Sequence, residues 1–331
     1  MKIIIDAFGG DYCPEVPVKA SIAAIKERDI EIVLTGDKEK LQSLLKEYGC
    51  SDSRISVIHA PEVIHNEEKP ALAVREKKES SVVVGAKLLH SGEGDAFVSA
   101  GSTGAVLAAS LFNTGRIKGV RRPALAVVLP AADGKTLLLD CGANTGCKVD
   151  DLVTFAVMGS IYMKCVEGVA NPRVALLSNG TEEGKGDSLV QEAYSLLKSS
   201  ELNFTGNVEG RDIMLGGADV VVCDGFAGNV ALKSIEGTAK MISGSLKELL
   251  FKNMRTKLGA LLLKNELSVF SRKFNYKEYG GAPLLGIKAP VIKAHGSSDV
   301  TSFLKAILQA ESWVKENVNS EIGKALSRRE E

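Results

Sequence analysis

Five short loops of small residues carry most of the acids, amides, hydroxyls and lysines in this chain that could do chemistry. They are Asp6-Ala7-Phe8-Gly9-Gly10-Asp11, Ser99-Ala100-Gly101-Ser102-Thr103-Gly104, Asp140-Cys141-Gly142-Ala143-Asn144, Glu182-Glu183-Gly184-Lys185-Gly186-Asp187 and Asp224-Gly225-Phe226-Ala227-Gly228-Asn229. Four of them directly follow an apolar run. Glycine lets the backbone turn sharply and lets a ligand approach its N–H groups. Several such loops at strand ends describe one crevice, the usual ligand site of an open α/β sheet.

Each loop has a chemical reading and a plainer one. Gly101, Ser102, Thr103 and Gly104 sit where a strand passes into a helix, so their N–H groups and the helix dipole could hold an anion. The plainer reading is a tight strand-to-helix turn. No Gly-Lys-Ser/Thr follows, so this is not a Walker A loop. Lys185, flanked by glycines, could reach a phosphate or stand solvated near a helix start. Asp224 ends the run Val220-Val221-Val222-Cys223. Asn229 reads either as an N-cap or as an amide donor to a developing oxyanion. Asp6 and Asp11 read as loop caps or as a carboxylate pair. His295, before Gly296-Ser297-Ser298, is a capping histidine or a cleft donor and general acid. Cys141 and Cys147 have no neighbouring base in the sequence and read as small loop and core residues. His59, His65 and His90 lack metal-ligand spacing, and no Gly-x-Ser-x-Gly elbow is present.

The elements that must position these loops are short. Near-continuous apolar runs at 3–6, 30–35, 55–59, 96–99, 124–129, 136–140, 174–177, 218–224 and 290–294 predict strands covered on both faces. Helical stretches at 17–25, 38–48, 71–89, 105–113, 152–166, 188–197 and 230–250 lie between most of them. This alternation predicts an α/β fold with a mainly parallel, doubly wound sheet. Without a linker or composition break, residues 1–331 read as one unit, with two lobes around a cleft as the alternative.

Composition narrows the partners. The 331 residues are 45% hydrophobic and 25% charged, with 41 basic and 41 acidic side chains. Zero net charge gives no global field to draw nucleic acid, and no basic stretch alternates with aromatics. The six cysteines form no Cys-x-x-Cys pair, which predicts reduced thiols and a cytoplasmic setting. The apolar start, Ile3-Ile4-Ile5, is too short for a secretion signal, and no run reaches the ~20 residues of a membrane span.

One segment departs from neutrality. Between 247 and 277, Lys247, Lys252, Arg255, Lys257, Lys264, Arg272, Lys273 and Lys277 face only Glu248 and Glu266. Leu246, Leu250, Met254, Leu258 and Leu261/Leu262 recur at helical spacing, with Leu263, Leu267, Val269 and Phe270 adding apolar surface. The segment reads as a helix packed on the core or on a dimer partner. It also reads as a basic amphipathic surface for an anionic membrane or an acidic protein.

Read together, the loops resemble the bacterial acyl-ACP:phosphate acyltransferases of phospholipid synthesis, the PlsX family (ACP, acyl carrier protein). The matching segments are 5–11, 60–63 with Lys69-Pro70, 99–105, 122–125, 139–144, 182–186, 207–212, 219–230 and 279–285 with His295-Gly296-Ser297-Ser298. They fall in the family's order over most of the chain. The sequence departs from the family at Phe8, Ser102, Gly146, Val149 and Asp187. The resemblance implies a three-layer α/β/α fold akin to the phosphotransacetylases and isopropylmalate dehydrogenases. It also implies a homodimer, peripheral association with the membrane, and a basic helical protrusion at 241–278.

The implied reaction joins long-chain acyl-ACP and inorganic phosphate to give acyl phosphate and ACP, with no metal or cofactor. Phosphate is already an anionic nucleophile, so the protein must align two reactants and stabilise the thioester oxygen. On this reading Lys185 orients phosphate with the backbone of Gly101–Gly104, and Asn229 donates to the oxyanion. Asp224, Asn144 and His295 orient the reactants or support them. Arg255, Lys257 and Lys264 meet ACP or an anionic membrane surface, while Leu258, Leu261 and Leu262 insert or dimerise. The alternatives are a short-chain phosphotransacetylase acting on acyl-CoA, an NAD-linked decarboxylating dehydrogenase of the same fold, and a non-catalytic scaffold that binds ACP or lipid.

Overall fold

The apolar runs pair as two sheets whose carboxyl ends carry the loops. A computed structural model describes residues 1–267 and 280–330. The expectations placed on Val269, Phe270, Arg272, Lys273, Lys277 and Tyr279, and on the end of the 241–278 protrusion, lie outside the described residues. The chain begins β1 (Lys2–Asp6), α1 (Glu15–Glu27), β2 (Glu31–Gly36), α2 (Lys38–Glu47), β3 (Ile55–His59), α3 (Pro70–Glu76), α4 (Ser81–His90), β4 (Ala96–Ser99) and α5 (Thr103–Ala109). After a π turn at Ser110–Thr114 come β5 (Ala124–Leu125), β6 (Val127–Ala131), β7 (Gly134–Leu139), α6 (Val149–Cys165), β8 (Val174–Leu177), α7 (Ser188–Lys198) and β9 (Phe204–Val208). It goes on through α8 (Asp212–Leu215), β10 (Val220–Val222), α9 (Gly225–Phe251), α10 (Met254–Leu262), β11 (Ala282–Leu285), β12 (Val291–Lys293), α11 (Val300–Lys315) and α12 (Val318–Glu330).

The larger sheet has the order β3-β2-β1-β4-β12-β11-β5, and the smaller β6-β7-β10-β8-β9. Pairing is parallel except at β11 and β6. Register aligns the chemistry: Asp6 lies opposite Ser99, and Ser99 opposite Lys293, at one carboxyl edge. In the other sheet Val222 pairs with Leu139 and Leu176, which brings the loops after β7, β10 and β8 side by side.

Successive strand residues point to opposite faces, so each strand divides between two cores. Ile3, Ile5, Leu139, Val222 and Trp313 belong to one buried cluster, and Ile4, Phe97, Leu138 and Val221 to the other. Both clusters draw on both sheets. Helices close each face, giving the expected three-layer α/β/α arrangement. Each fully buried Ile, Val or Leu contributes roughly 1.5–3 kcal/mol.

The structure corrects several expectations. The run at 124–129 is two strands, β5 and β6, which belong to different sheets. The helix expected over 71–89 breaks at 77–80. There Glu79 N donates to Glu62 Oε2 and Lys77 Nζ to Val63 O, tying the chain to the preceding loop. The helix expected from 230 starts at Gly225. Strands β9 and β11 and helices α8, α11 and α12 were not foreseen.

Helix α9 buries Gly225, Gly228 and Leu232 and nothing beyond them, and α10 buries no residue at all. The described part of the basic segment, from Lys247 on, thus contributes no fully buried residue. Among the described residues α10 packs against α9. Among the described residues no helix is long and apolar enough to cross a membrane.

Candidate active site

At the edge of the larger sheet, Asp6 is buried, and Ser99 Oγ donates to its Oδ2 at 2.6 Å. Gly101 N in turn donates to Ser99 Oγ at 3.0 Å. Burial pushes the Asp6 carboxyl up from the usual carboxylate range, against the pull of these hydrogen bonds. Only glycine fits at position 9, because a Cβ there would stand 2.5 Å from Gly101 N. Asp11 N donates to Gly296 O at 2.9 Å, so the loop after β1 also touches the loop after β12. The Asp6 side chain and the Asp11 backbone thus tie the loops after β1, β4 and β12 together. Ser102 is the N-cap of α5, its hydroxyl accepting from Ala105 N at 3.3 Å. Thr103 follows at the first position of that helix.

At the edge of the smaller sheet, the fully buried Asp140 carboxylate gathers five donors. Oδ1 accepts from the N–H groups of Leu125, Gly142 and Ala143, and Oδ2 from the N and Nδ2 of Asn144. Asn144 also donates from Nδ2 to Pro123 O at 2.7 Å, and its own carbonyl accepts from Gly225 N at 2.8 Å. Asn144 is therefore a loop brace. The start of α9 is pressed onto this loop: a Cβ at Gly228 would fall 1.9 Å from Asp140 O.

The cap of α9 is Asp224, whose carboxylate accepts from Ala227 N at 2.7 Å. The N-cap reading of Asn229 is thereby corrected. Asn229 sits in the second turn of α9, exposed, beside Gly142, with its Oδ1 3.6 Å from where a Gly142 Cβ would stand.

Lys185 is exposed on the loop between β8 and α7. Gln191 Nε2 donates to the carbonyls of Gly184 and Gly186 on either side of it, and Asn207 Nδ2 donates to Glu182 O at 2.9 Å. Asn207 Oδ1 is buried with no hydrogen-bond partner, which is so for no other buried side-chain oxygen or nitrogen among the described residues.

Between the two carboxyl edges lies a pocket of about 140 Å³. Thr103, Cys141, Asn229 and His295 line it, together with Lys233, Glu236 and Lys293. Residues after β4, β7 and β12 and on α9 therefore meet at this pocket, whereas the loops at 6–11 and 182–187 contribute nothing to its lining. Gly101, Ser102, Gly104, Asn144 and Asp224 are not part of this lining. Lys185 lies on the same sheet edge but does not line the pocket.

Lys293, Lys233 and Glu236 were missed by sequence reasoning. Lys293 ends β12, and its Nζ donates to the Ala294 carbonyl. Burial lowers its pKa to about 8, opposed by the charges of Asp11 and Asp6. A lysine closing an apolar strand two residues before His295 was a usable signal. Lys233 lies four residues beyond Asn229, hence on the same helix face, and pairs with Glu236 at 2.7 Å. His295 Nδ1 accepts from Ser297 N at 3.1 Å, which places the proton of a neutral ring on Nε2. Cys141 also lines the pocket, and burial holds its thiol well above its usual range. Ammonium, amide, hydroxyl and imidazole donors around a small pocket suit a compact oxyanion attacking, or formed on, a carbonyl group.

Solved structures share this architecture. A phosphotransacetylase from Streptococcus pyogenes superposes with a TM-score of 0.64 at 18% identity, covering 96% of this chain and 94% of that one. The EutD phosphotransacetylase from Staphylococcus aureus gives 0.60 at 19% identity, with coverages of 96% and 94%. At these identities the likeness defines the fold class, an α/β fold of the phosphotransacetylase type.

Sequence likeness defines the family. The family model described as "Fatty acid synthesis protein" matches residues 1–321. The phosphate acyltransferase of Thermoanaerobacterium thermosaccharolyticum is 51% identical over 97% of this chain and 96% of its own length. That of Bacillus cereus is 50% identical over 96% of both chains. The chain belongs to this family of phosphate acyltransferases, which are transferase enzymes.

Proposed function

We propose that the chain transfers a long-chain acyl group from an acyl-ACP thioester to inorganic phosphate, releasing ACP and an acyl phosphate that feeds glycerophospholipid synthesis. The observation that carries this reading is the convergence of Thr103, Asn229, Lys293 and His295 on one pocket between the sheet edges. Membership of a phosphate acyltransferase family supports it.

A phosphate oxygen attacks the thioester carbonyl carbon, the carbonyl oxygen takes up negative charge, and the C–S bond breaks to release thiolate. Phosphate binds near Thr103 and the Gly101–Gly104 backbone, with Lys293 as the inner cation and Lys185 reaching in from the rim. Asn229 Nδ2 donates to the oxyanion. His295 donates from Nε2 to phosphate or to the departing sulfur. Asp140 and Asn144 hold the loop on which Asn229 rests. Alignment of the two reactants supplies much of the rate.

Residues 1–331 act as one catalytic unit on this reading, and the basic segment forms its contact surface. Leu258, Leu261 and Leu262 are 62%, 65% and 78% exposed. Arg255, Lys257 and Lys264 are exposed among them. Such a surface fits acidic ACP, an anionic membrane, or the partner in a homodimer. The test of function is donor choice: phosphate-dependent turnover of long-chain acyl-ACP, with acetyl-CoA as the comparison. The fold likeness to phosphotransacetylases favours the second reading, acetyl transfer from CoA, and preference for acetyl-CoA would establish it.

A further inference from the structure

A second cavity adjoins the candidate active pocket at Glu236, which lines both. It measures about 370 Å³ and is lined mainly by the apolar Leu129, Pro130, Met214, Ile235, Ala239 and Ile242, with Arg211, Ser234, Glu236 and Thr238 as its polar members. Two elements run through both spaces. Strand β6 offers Val127 and Val128 to the pocket and Leu129 and Pro130 to the second cavity. Helix α9 offers Asn229, Leu232 and Lys233 to the pocket, then Ile235, Ala239 and Ile242 to the second cavity. Glu236 lines both and is held by Lys233, so one ion pair stands at the junction.

We infer that this groove takes the hydrocarbon tail of the acyl thioester, laid along α9 with its carbonyl at Asn229 and its far end toward Ile242. The inference rests on the acyl-transfer reading and adds to it the place where chain length is measured. From Asn229 to Ile242 the helix advances roughly 20 Å, enough for a long extended tail. Ile242 is 50% exposed, so the far end opens to solvent where α9 runs on into the basic segment. A tail could enter there from a lipid phase or from ACP without crossing the charged pocket. A second copy of the chain is the rival occupant, but it would have no need of a groove that leads to Asn229.

The test uses the full-length protein with Ala239→Trp, which fills the middle of the groove, and Ile242→Glu, which places a charge at its exposed end. The half-exposed Ile242 tolerates a polar side chain, so this variant keeps the test sound if Ala239→Trp fails to fold. Two readouts are taken. The first is kcat/KM for hexadecanoyl-ACP relative to butanoyl-ACP. The second is binding of a fluorescent polyene fatty acid, which needs no turnover and so reports on the groove even if the acyl-transfer reading fails. The expected result is a fall of about tenfold or more in the long-to-short ratio, with matching loss of fatty-acid binding, since several methylenes lose their burial. An unchanged ratio with unchanged binding overturns the proposal. So does a shift from dimer to monomer with chain preference intact, which would give the groove to a second copy.

Discussion

The Asp140 carboxylate accepts both the backbone N–H and the side-chain amide of Asn144, at 2.7 and 2.9 Å, while the Asn144 carbonyl receives Gly225 N at the start of α9. This chain of bonds connects the loop after β7 to the helix that carries Asn229. Neither residue needs to touch a reactant to govern where Asn229 stands. Asp140→Ala leaves five donors without their acceptor and should cost about 3–5 kcal/mol, read as a lowered urea midpoint. An unchanged midpoint would show that the loop holds itself.

The glycine at 228 makes a sharper test of the same contact. Ala at this position drives its Cβ into the Asp140 carbonyl, a backbone atom that cannot swing away. Gly228→Ala should lower stability by about 3 kcal/mol, whereas Gly237→Ala, with open space around it, should be neutral or mildly stabilising. Equal unfolding midpoints for the two variants would contradict the packing described.

Much of this site was legible as sequence, and the reasons for the rest are physical. Each of the five loops sits at an element end, because glycine, acids and amides are the residues that end strands and start helices. Asp6, Ser99 and Asp140 could be placed from their position after apolar runs. Their partners could not, since Asp6 meets Ser99 only through strand pairing 93 residues apart. Lys293 escaped notice because one lysine at a strand end reads as a solvated edge until neighbouring strands bury it. The break at 77–80 was hidden by an apolar pattern that runs through it, and tertiary bonds to 62–63 decided the matter. The split of 124–129 between two sheets has no local signal at all.

Lys293 gives the pH dependence. Its pKa is lowered from 10.5 to about 8 by burial, with Asp11 and Asp6 opposing and Lys233 reinforcing. On the proposed reading it holds phosphate as a cation below pH 8; above, it is neutral and the phosphate KM should rise. Lys293→Arg keeps its charge and should remove that rise, while Lys293→Met should raise the phosphate KM about tenfold or more at neutral pH. The same shift makes folding stability climb between pH 8 and 10.5, where the unfolded chain still binds the proton that the folded chain has released. A phosphate KM flat from pH 7 to 9.5 in the unaltered protein would remove Lys293 from phosphate binding.

The basic segment should separate surface function from stability. Leu258→Glu with Leu262→Glu alters two exposed side chains, so unfolding should move by less than about 1 kcal/mol. Sedimentation with vesicles containing anionic lipid should fall several-fold, more so at low salt where Arg255, Lys257 and Lys264 contribute. Unchanged vesicle binding would leave these leucines to ACP or to a second subunit, which gel filtration and ACP pull-down distinguish.

Asn229 bears the central claim, that one pocket brings phosphate to an acyl thioester and stabilises the oxyanion. The measurement is phosphate-dependent release of free ACP from long-chain acyl-ACP, with the acyl phosphate trapped as hydroxamate, for the unaltered chain and for Asn229→Ala. The account predicts turnover only with phosphate, and a loss of about a hundredfold to a thousandfold in kcat for Asn229→Ala with little change in KM. Turnover without phosphate, or full kcat in a folded Asn229→Ala, would contradict it.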